Sequence, residues 1–192
     1  MNRNKYYNIY LVFSKTGTWL SRLICMFSQI KYPHVSISFD RSFTKMYSFG
    51  RTNPDNPFSG GFVEENLYGG VYKKFSRSKC IIYQVKVTEE QYITLHNQVE
   101  KFCRYKKKYK YNFLGLVGVI CNRPIKRQYY YFCSQFIAEI LINSNIITSE
   151  KIPALIRSDE LLTIINNKVL IYEGFINADS KAMEQIKVGF TG

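Results

Sequence analysis

The stretch at residues 31–39, which reads KYPHVSISF, decides the fold. Pro33 disfavours helical conformation in the residue before it, so a preceding helix ends here and a new element begins. From His34 onward polar and apolar residues alternate, and the apolar set is Val35, Ile37 and Phe39. This alternation predicts a strand over 34–39 with one buried face and with His34 leading the polar face.

The segments on either side of this stretch form a mixed pattern of strands and helices. Before it we predict a strand over 9–14 and a helix that Thr18 caps and that ends near residue 30. After it we predict strands over 46–49, 62–67, 80–87 and 169–172, and helices over 89–104, 129–143 and 158–165. The order predicts an α+β domain with a central, mainly antiparallel sheet flanked by helices.

The composition describes one basic globular domain. The chain has 192 residues, 27 Lys and Arg against 14 Asp and Glu, a net charge of +13, and 16% aromatic residues. The aromatic content is too high for a disordered chain, and 11 Gly with 5 Pro are too few for a collagen-like or linker-like one. With no linker that divides the chain, we predict a single domain over 1–192 with its core at about 9–174.

The cysteine pattern and the lengths of the apolar segments indicate the cellular compartment of the protein. The five cysteines are an odd number and include no Cys-x-x-Cys pair, which is typical of a reducing environment. The apolar run at 9–13 is too short for a signal peptide, and the run at 113–121 is too short for a membrane helix. We therefore expect a cytoplasmic protein without a signal peptide or transmembrane helix.

The sequence carries no metal or cofactor motif. His34 and His96 are the only histidines and lie far apart, and the cysteines lack the paired spacing of zinc sites. Glycine-rich phosphate loops, dinucleotide fingerprints and serine-hydrolase elbows are also missing. We predict no bound metal and no cofactor.

Cys133 is the best candidate for a reactive group. It follows four aromatic residues at 129–132, at the point where the amphipathic helix begins. Backbone amides in the first turn of a helix stabilise a thiolate, and a nearby imidazole adds to this effect. A small core thiol beside Phe136 and Ile137 is the alternative interpretation.

Three short motifs resemble a known family. They are KYPHVSI at 31–37, YSFGR at 47–51 and YFCSQF at 131–136. Together they resemble the circularly permuted papain-fold family related to NlpC-type cell-wall amidases, with lecithin:retinol acyltransferase as a more distant relative. In ordinary papain-like enzymes the cysteine helix precedes the histidine strand, whereas in the permuted branch, as here, the histidine comes first. The resemblance implies a permuted papain-like fold over most of the chain.

The resemblance also implies roles for individual residues. Cys133 is the expected nucleophile, and His34 is the expected base and then acid. The family's third member, commonly Glu or His, lies on the strand after the histidine and orients the imidazole. If a three-residue loop at 40–42 joins the two strands, Ser48 lies opposite His34, so we predict Ser48 as this residue. Glu64 on a later strand is the alternative.

Residues near these motifs are predicted to bind substrate. In the family the first strand and its turn border the cleft, which implies substrate contacts for Tyr10, Ser14 and Lys15. Tyr47 and Arg51 of the second motif complete the predicted set.

The predicted function is a cysteine-dependent amidase or peptidase that hydrolyses an amide or ester through an acyl-enzyme. A basic surface favours anionic substrates, and the resemblance permits peptidoglycan peptides, acyl groups and lipid-like molecules. The alternative is a catalytically weak or inactive basic module that binds nucleic acid or an anionic membrane surface.

The segment at 104–110 is the strongest charge cluster and underlies that alternative. Its cations are Arg104, Lys106, Lys107, Lys108 and Lys110. We disfavour nucleic acid as the partner because no RNA-binding or helix-turn-helix signature accompanies the cluster. Contact of these cations with lipid headgroups is the remaining partner hypothesis.

Overall fold

The computed structural model describes residues 5–16, 30–53, 56, 59–75 and 77–176. The eight strands found there are β1 Tyr6–Lys15, β2 His34–Ser38, β3 Met46–Arg51, β4 Gly60–Glu65, β5 Lys79–Thr88, β6 Lys110–Tyr111, β7 Tyr130–Tyr131 and β8 Lys168–Phe175. The five helices found there are α1 Gly70–Lys74, α2 Glu89–Arg104, α3 Phe113–Ile120, α4 Cys133–Asn143 and α5 Ser158–Ile164. The helix predicted after Thr18 lies outside the described residues.

The strands form one sheet in the order β7-β6-β4-β3-β2-β1-β5-β8. Every pair is antiparallel except β6 with β7. The predicted α+β class with a mainly antiparallel sheet is therefore confirmed. The central strand β1 is apolar on both faces, because elements cover the sheet from both sides.

Alternate residues of β1 belong to two separate hydrophobic clusters. Ile9, Leu11 and Phe13 pack in the larger cluster, which contains the inward faces of α2 and α4. Tyr10 and Val12 pack in the smaller cluster, which contains Tyr72 of α1. Helices α2 and α4 thus cover one face of the sheet, and α1 covers the other.

Helix α2 has the predicted bounds and the predicted cap. The Thr88 hydroxyl accepts from the Gln91 amide at 3.3 Å, and the Gln91 side chain accepts from the Thr88 amide at 2.9 Å. This capping box is confirmed, and it satisfies two amides that a helix start otherwise leaves without partners. Leu95, Val99 and Phe102 form the buried face.

The segment at 110–131 differs from the prediction. The apolar run forms helix α3, whose first turn is capped by Asn112 through a 3.0 Å bond from the Gly115 amide. Residues 130–131 form β7 beside β6 rather than the start of a helix, so α4 begins only at Cys133. No helix in the part of the chain that the structure describes is long and apolar enough to cross a membrane.

The pairing of β2 with β3 also differs. Ile37 lies opposite Tyr47, so the predicted pairing of residue 34 with residue 48 is wrong by two positions, and residue 50 lies opposite His34. The cause is a longer turn than the predicted three-residue loop, since β2 ends at Ser38 and β3 begins at Met46. Phe43 is fully buried within this turn and has a φ of 53°.

Candidate active site

Cys133 is the first residue of α4 and lies beside the start of β2. Phe132 before it is extended and serves as the N-cap, so the amide of Cys133 belongs to the first turn, which has no acceptor within the helix. The thiol is 3% exposed, and its Sγ donates to the Pro33 carbonyl oxygen at 3.6 Å. Because Pro33 directly precedes His34, this contact brings the thiol to the predicted base.

His34 is the first residue of β2, and its ring is held by a carboxylate. Nε2 lies 3.0 Å from Oε1 and 3.1 Å from Oε2 of Glu65. An ionised carboxylate only accepts hydrogen bonds, so Nε2 carries the proton and donates. In the neutral ring this leaves the lone pair on Nδ1, which is the nitrogen available to the Cys133 thiol.

Glu65, the last residue of β4, is itself fixed by neighbouring hydroxyls. The Ser36 hydroxyl and the Tyr72 hydroxyl both donate to Oε2, the second at 3.4 Å. The Tyr72 hydroxyl is also 3.2 Å from the Ser14 hydroxyl, so the network extends to β1. Hydroxyls from β2 and α1 thus hold the carboxylate that orients His34, and a hydroxyl from β1 contacts the one from α1.

The electrostatics of the pair favour its charged form. Burial lowers the pKa of His34, but the Glu65 charge and hydrogen bonds with Cys133 and Glu65 outweigh burial and raise that pKa well above its usual value. Burial raises the pKa of Glu65, but the His34 charge and hydrogen bonds from His34, Ser36 and Tyr72 lower that pKa overall. The side chains of His34 and Glu65 are 18% and 16% exposed, so solvent screens the pair only weakly.

Gly50 on β3 leaves room for this pair. A Cβ at this position would lie 3.1 Å from Glu65 Oε1 and 3.6 Å from His34 Cε1. The first distance is shorter than a comfortable contact, so any larger residue would push against the carboxylate. Gly50, the glycine of the YSFGR motif, is thus the β3 residue that lies opposite His34 in the observed register.

The structure assigns the orienting position to Glu65 rather than to Ser48 or Glu64. Ser48 is fully buried, and its hydroxyl donates to the Val35 carbonyl at 2.6 Å. Glu64 extends to the other face of β4 and pairs with Lys45 at 3.6 Å. The expected role of Ser48 is corrected because the β2–β3 register differs from the predicted one. Glu64 does not contact the His34 imidazole, because the side chains of neighbouring residues in a strand point to opposite faces of the sheet.

Three of the predicted substrate contacts are buried. Tyr10 packs edge-on against Phe43 at 5.5 Å, and Tyr47 stacks on Phe62 at 6.3 Å. Ser14 is fully buried behind the Glu65 network. These side chains have structural contacts and do not reach a substrate, which corrects the prediction for them. Lys15 is exposed at the end of β1, and Arg51 is half-buried at the end of β3.

Tyr111 is a site residue that the sequence interpretation missed. It ends β6 and is 8% exposed, and burial together with the charges of Cys133 and Glu65 raises the pKa of its phenol well above the usual value. The phenol therefore stays protonated and keeps its hydrogen-bond donor. Nothing in the local sequence indicates this, since β6 is a two-residue strand formed by contacts distant in sequence.

Two other thiols have environments that suppress reactivity. Burial raises the pKa of Cys80 to about 12 and that of Cys103 to about 11. Both thiols stay protonated at neutral pH and are poor nucleophiles. Cys121 is exposed. Of the thiols in the described ranges, Cys133 is therefore the one with both a helix start and an imidazole beside it.

The described residues contain no group of three or more His, Cys, Asp and Glu side chains arranged to hold a metal ion. Comparisons of the chain with family models, curated proteins and solved structures find no match.

Proposed function

We propose that the chain is a cysteine-dependent hydrolase of the amidase or peptidase type that forms an acyl-enzyme on Cys133. The observation that carries the proposal is the hydrogen bond of His34 Nε2 to Glu65, beside a thiol at the start of α4. The carboxylate sets the tautomer, so Nδ1 is left as the base. A nucleophile, a base and an orienting group in this relation form the general triad for acyl transfer.

In the first half-reaction the Cys133 sulfur attacks the carbonyl carbon of an amide or ester. The thiol proton goes to Nδ1 of His34, and Glu65 stabilises the imidazolium that forms. As the C–N or C–O bond breaks, the imidazolium gives this proton to the leaving amine or alcohol. The acyl group remains on sulfur as a thioester.

In the second half-reaction a water molecule attacks the thioester carbon while His34 takes one of its protons. The C–S bond breaks, the acid leaves, and the proton on His34 returns to the thiolate. Acyl transfer to another acceptor would follow the same steps with the acceptor in place of water.

The negative oxygen of each tetrahedral intermediate needs hydrogen-bond donors. The Cys133 backbone N–H is one, since it lies in the first turn of α4. We assign the second to the Tyr111 phenol, which stays protonated because burial and the charges of Cys133 and Glu65 raise its pKa.

The chain order of these groups supports a permuted papain-like fold. His34 comes first, Glu65 next and Cys133 last, which is the order of the permuted family that the motifs resemble. Glu65 also supplies a charged orienting residue, as is usual in that family, although it lies on β4 and not on β3, the strand directly after the histidine. The resemblance and the geometry thus favour the same enzyme class.

The net charge of +13 favours anionic substrates such as peptidoglycan peptides, acidic acyl groups or lipid-like molecules. Because the substrate is not identified, the test uses p-nitrophenyl esters and aminocoumarin amides of varied acyl groups. We expect a covalent adduct of the acyl mass on Cys133 by mass spectrometry, and release of product after it forms.

Variants separate catalysis from background hydrolysis. Cys133→Ala should abolish both adduct and turnover, whereas Cys121→Ala removes an exposed thiol and should leave both unchanged. Turnover that survives in Cys133→Ala, or the absence of an adduct with every ester, would contradict the proposal. The second result would favour the alternative of a basic binding module without activity.

A further inference from the structure

A cavity of about 630 Å³ lies beside α4 on a different side from the thiol. Its walls come from the end of α2, the turn at 106–108, the loop at 126–129 and the flank of α4. Gln135 and Glu139 line it from one helix face, since residues four apart lie one above the other. Two residues along a helix rotate a side chain by about 200°, so Gln135 faces away from Cys133.

Gln135 is a buried amide that the fold leaves incompletely paired. It is 6% exposed, and its Oε1 has no hydrogen-bond partner. A buried polar atom without a partner is costly, and such atoms are rare in folded proteins. Because Gln135 lines the cavity, an N–H or O–H of a bound ligand can supply the missing partner.

The lining of the cavity carries more positive than negative charge. Lys101, Lys108, Lys126 and Arg127 line it, and none of them has a carboxylate within 4.0 Å among the described residues. Burial raises the pKa of Glu139, the only acid in the lining, while a 3.0 Å hydrogen bond from the Tyr131 hydroxyl and the charge of Lys126 act in the opposite direction. These cations favour an anionic ligand.

Tyrosine rings form the remaining part of the lining. Tyr129 is 43% exposed and meets Tyr109 edge-on at 5.9 Å, whereas the Lys108 ammonium lies over the Tyr105 ring, 5.1 Å from its centroid. Exposed aromatic faces beside cations bind planar rings by stacking. The volume is in the range of sites for small cofactors, not for short inorganic ions.

We propose that this cavity binds a small ring-bearing phosphate of the mononucleotide class. The four cations hold the phosphate, a tyrosine face stacks on the ring, and Gln135 accepts from a ring amine. The site goes beyond the proposed hydrolysis, because neither Cys133 nor His34 contributes to it.

Calorimetric titration of the full chain tests this. The ligands are the four common nucleoside 5′-monophosphates, with ribose 5-phosphate and inorganic phosphate as controls that lack the aromatic base. We expect at least one monophosphate to bind with 1:1 stoichiometry, about tenfold more tightly than ribose 5-phosphate because the ring adds stacking. Vesicles of phosphatidylglycerol in phosphatidylcholine test whether a lipid headgroup supplies the phosphate instead.

Matched variants locate the site. The double variant Lys126→Gln/Arg127→Gln should weaken binding about tenfold or more. The control Lys79→Gln/Lys86→Gln removes the same charge from exposed positions on β5 and should leave the affinity unchanged. Gln135→Met should weaken binding, and Glu139→Gln, which removes the one negative charge, should strengthen it. Cys133→Ala should bind as the wild type does.

Four results would overturn the proposal. Equal affinity for ribose 5-phosphate excludes recognition of the aromatic base. Equal weakening by the two double variants would show that binding depends only on the net charge of the protein. Binding to the vesicles without binding to any soluble phosphate would show that these cations bind lipid headgroups at a membrane surface. Loss of binding in Cys133→Ala would move the ligand to the catalytic cleft.

Discussion

At the scale of single residues, the site depends on which strand position faces the imidazole. Glu65 accepts from His34, while Glu64, one position earlier, pairs with Lys45 on the other face. Successive side chains of a strand point to opposite faces of the sheet. A shift of one position therefore exchanges an orienting carboxylate for a solvent-exposed one.

The coupling of Glu65 to His34 predicts a pH-dependent signal. The chain has two histidines, so ring-labelled NMR spectra contain two sets of histidine ring signals, and the set that remains in His96→Gln belongs to His34. We expect the His34 pKa to lie well above 6.5, since the nearby carboxylate favours the imidazolium. In Glu65→Gln that charge is gone while burial remains, so the His34 pKa should fall. A His34 titration that is the same in both proteins would contradict the assigned pair.

The assigned role of Tyr111 predicts a specific kinetic defect. Tyr111→Phe keeps the ring and removes only the donor, so kcat should fall by about 100-fold with little change in KM. Tyr105→Phe, which changes an exposed ring away from the thiol, is the matched control and should keep the wild-type kcat. A rise in KM at constant kcat would instead indicate a role in substrate binding.

At the scale of elements, periodic patterns were sufficient where local signals are strong. Helix α2 has its predicted bounds because a capping box and an apolar face occur in one segment. Helix α3 was missed because its run is apolar on all sides and contains two glycines, Gly115 and Gly118, so it has little helical periodicity. Strands β6 and β7 have two residues each and exist only through tertiary pairing.

The site was likewise predictable only where it depends on local sequence patterns. The positions of Cys133 at a helix start and of His34 at a strand start follow from patterns within a few residues. The register of β2 with β3 depends on a turn in which Phe43 is buried with a positive φ, and no residue type in that turn indicates it. Glu65 and Tyr111 could not be found because their positions in the fold depend on strand pairings between segments distant in sequence.

The capping box of α2 predicts a measurable stability term. Thr88→Ala removes the hydroxyl that accepts from Gln91, and should lower the free energy of unfolding by about 1 kcal/mol. Thr94→Ala in the middle of the same helix is the control and should not destabilise, because alanine has the higher helix propensity. Urea denaturation measures both. Equal effects of the two changes would show that the cap contributes nothing.

At the scale of the whole molecule, the charge of +13 acts on every encounter with a ligand. Positive potential raises the association rate of anions, and salt screens this attraction over about 10 Å at 0.1 M ionic strength. We therefore expect kcat/KM for an anionic ester to fall as sodium chloride is added, and that for a neutral ester of similar size to change little. Parallel dependence for the two esters would exclude electrostatic selection of substrate.

The reactivity of the five thiols tests the central claim most directly. The protein is treated with iodoacetamide at about pH 6, and the rate at each cysteine is followed by mass spectrometry in the wild type and in His34→Ala. We predict that Cys133 reacts first although it is 3% exposed, ahead of the exposed Cys121, and that His34→Ala slows Cys133 alone by about 100-fold. Faster reaction of Cys121, or a Cys133 rate that does not depend on His34, would contradict the account.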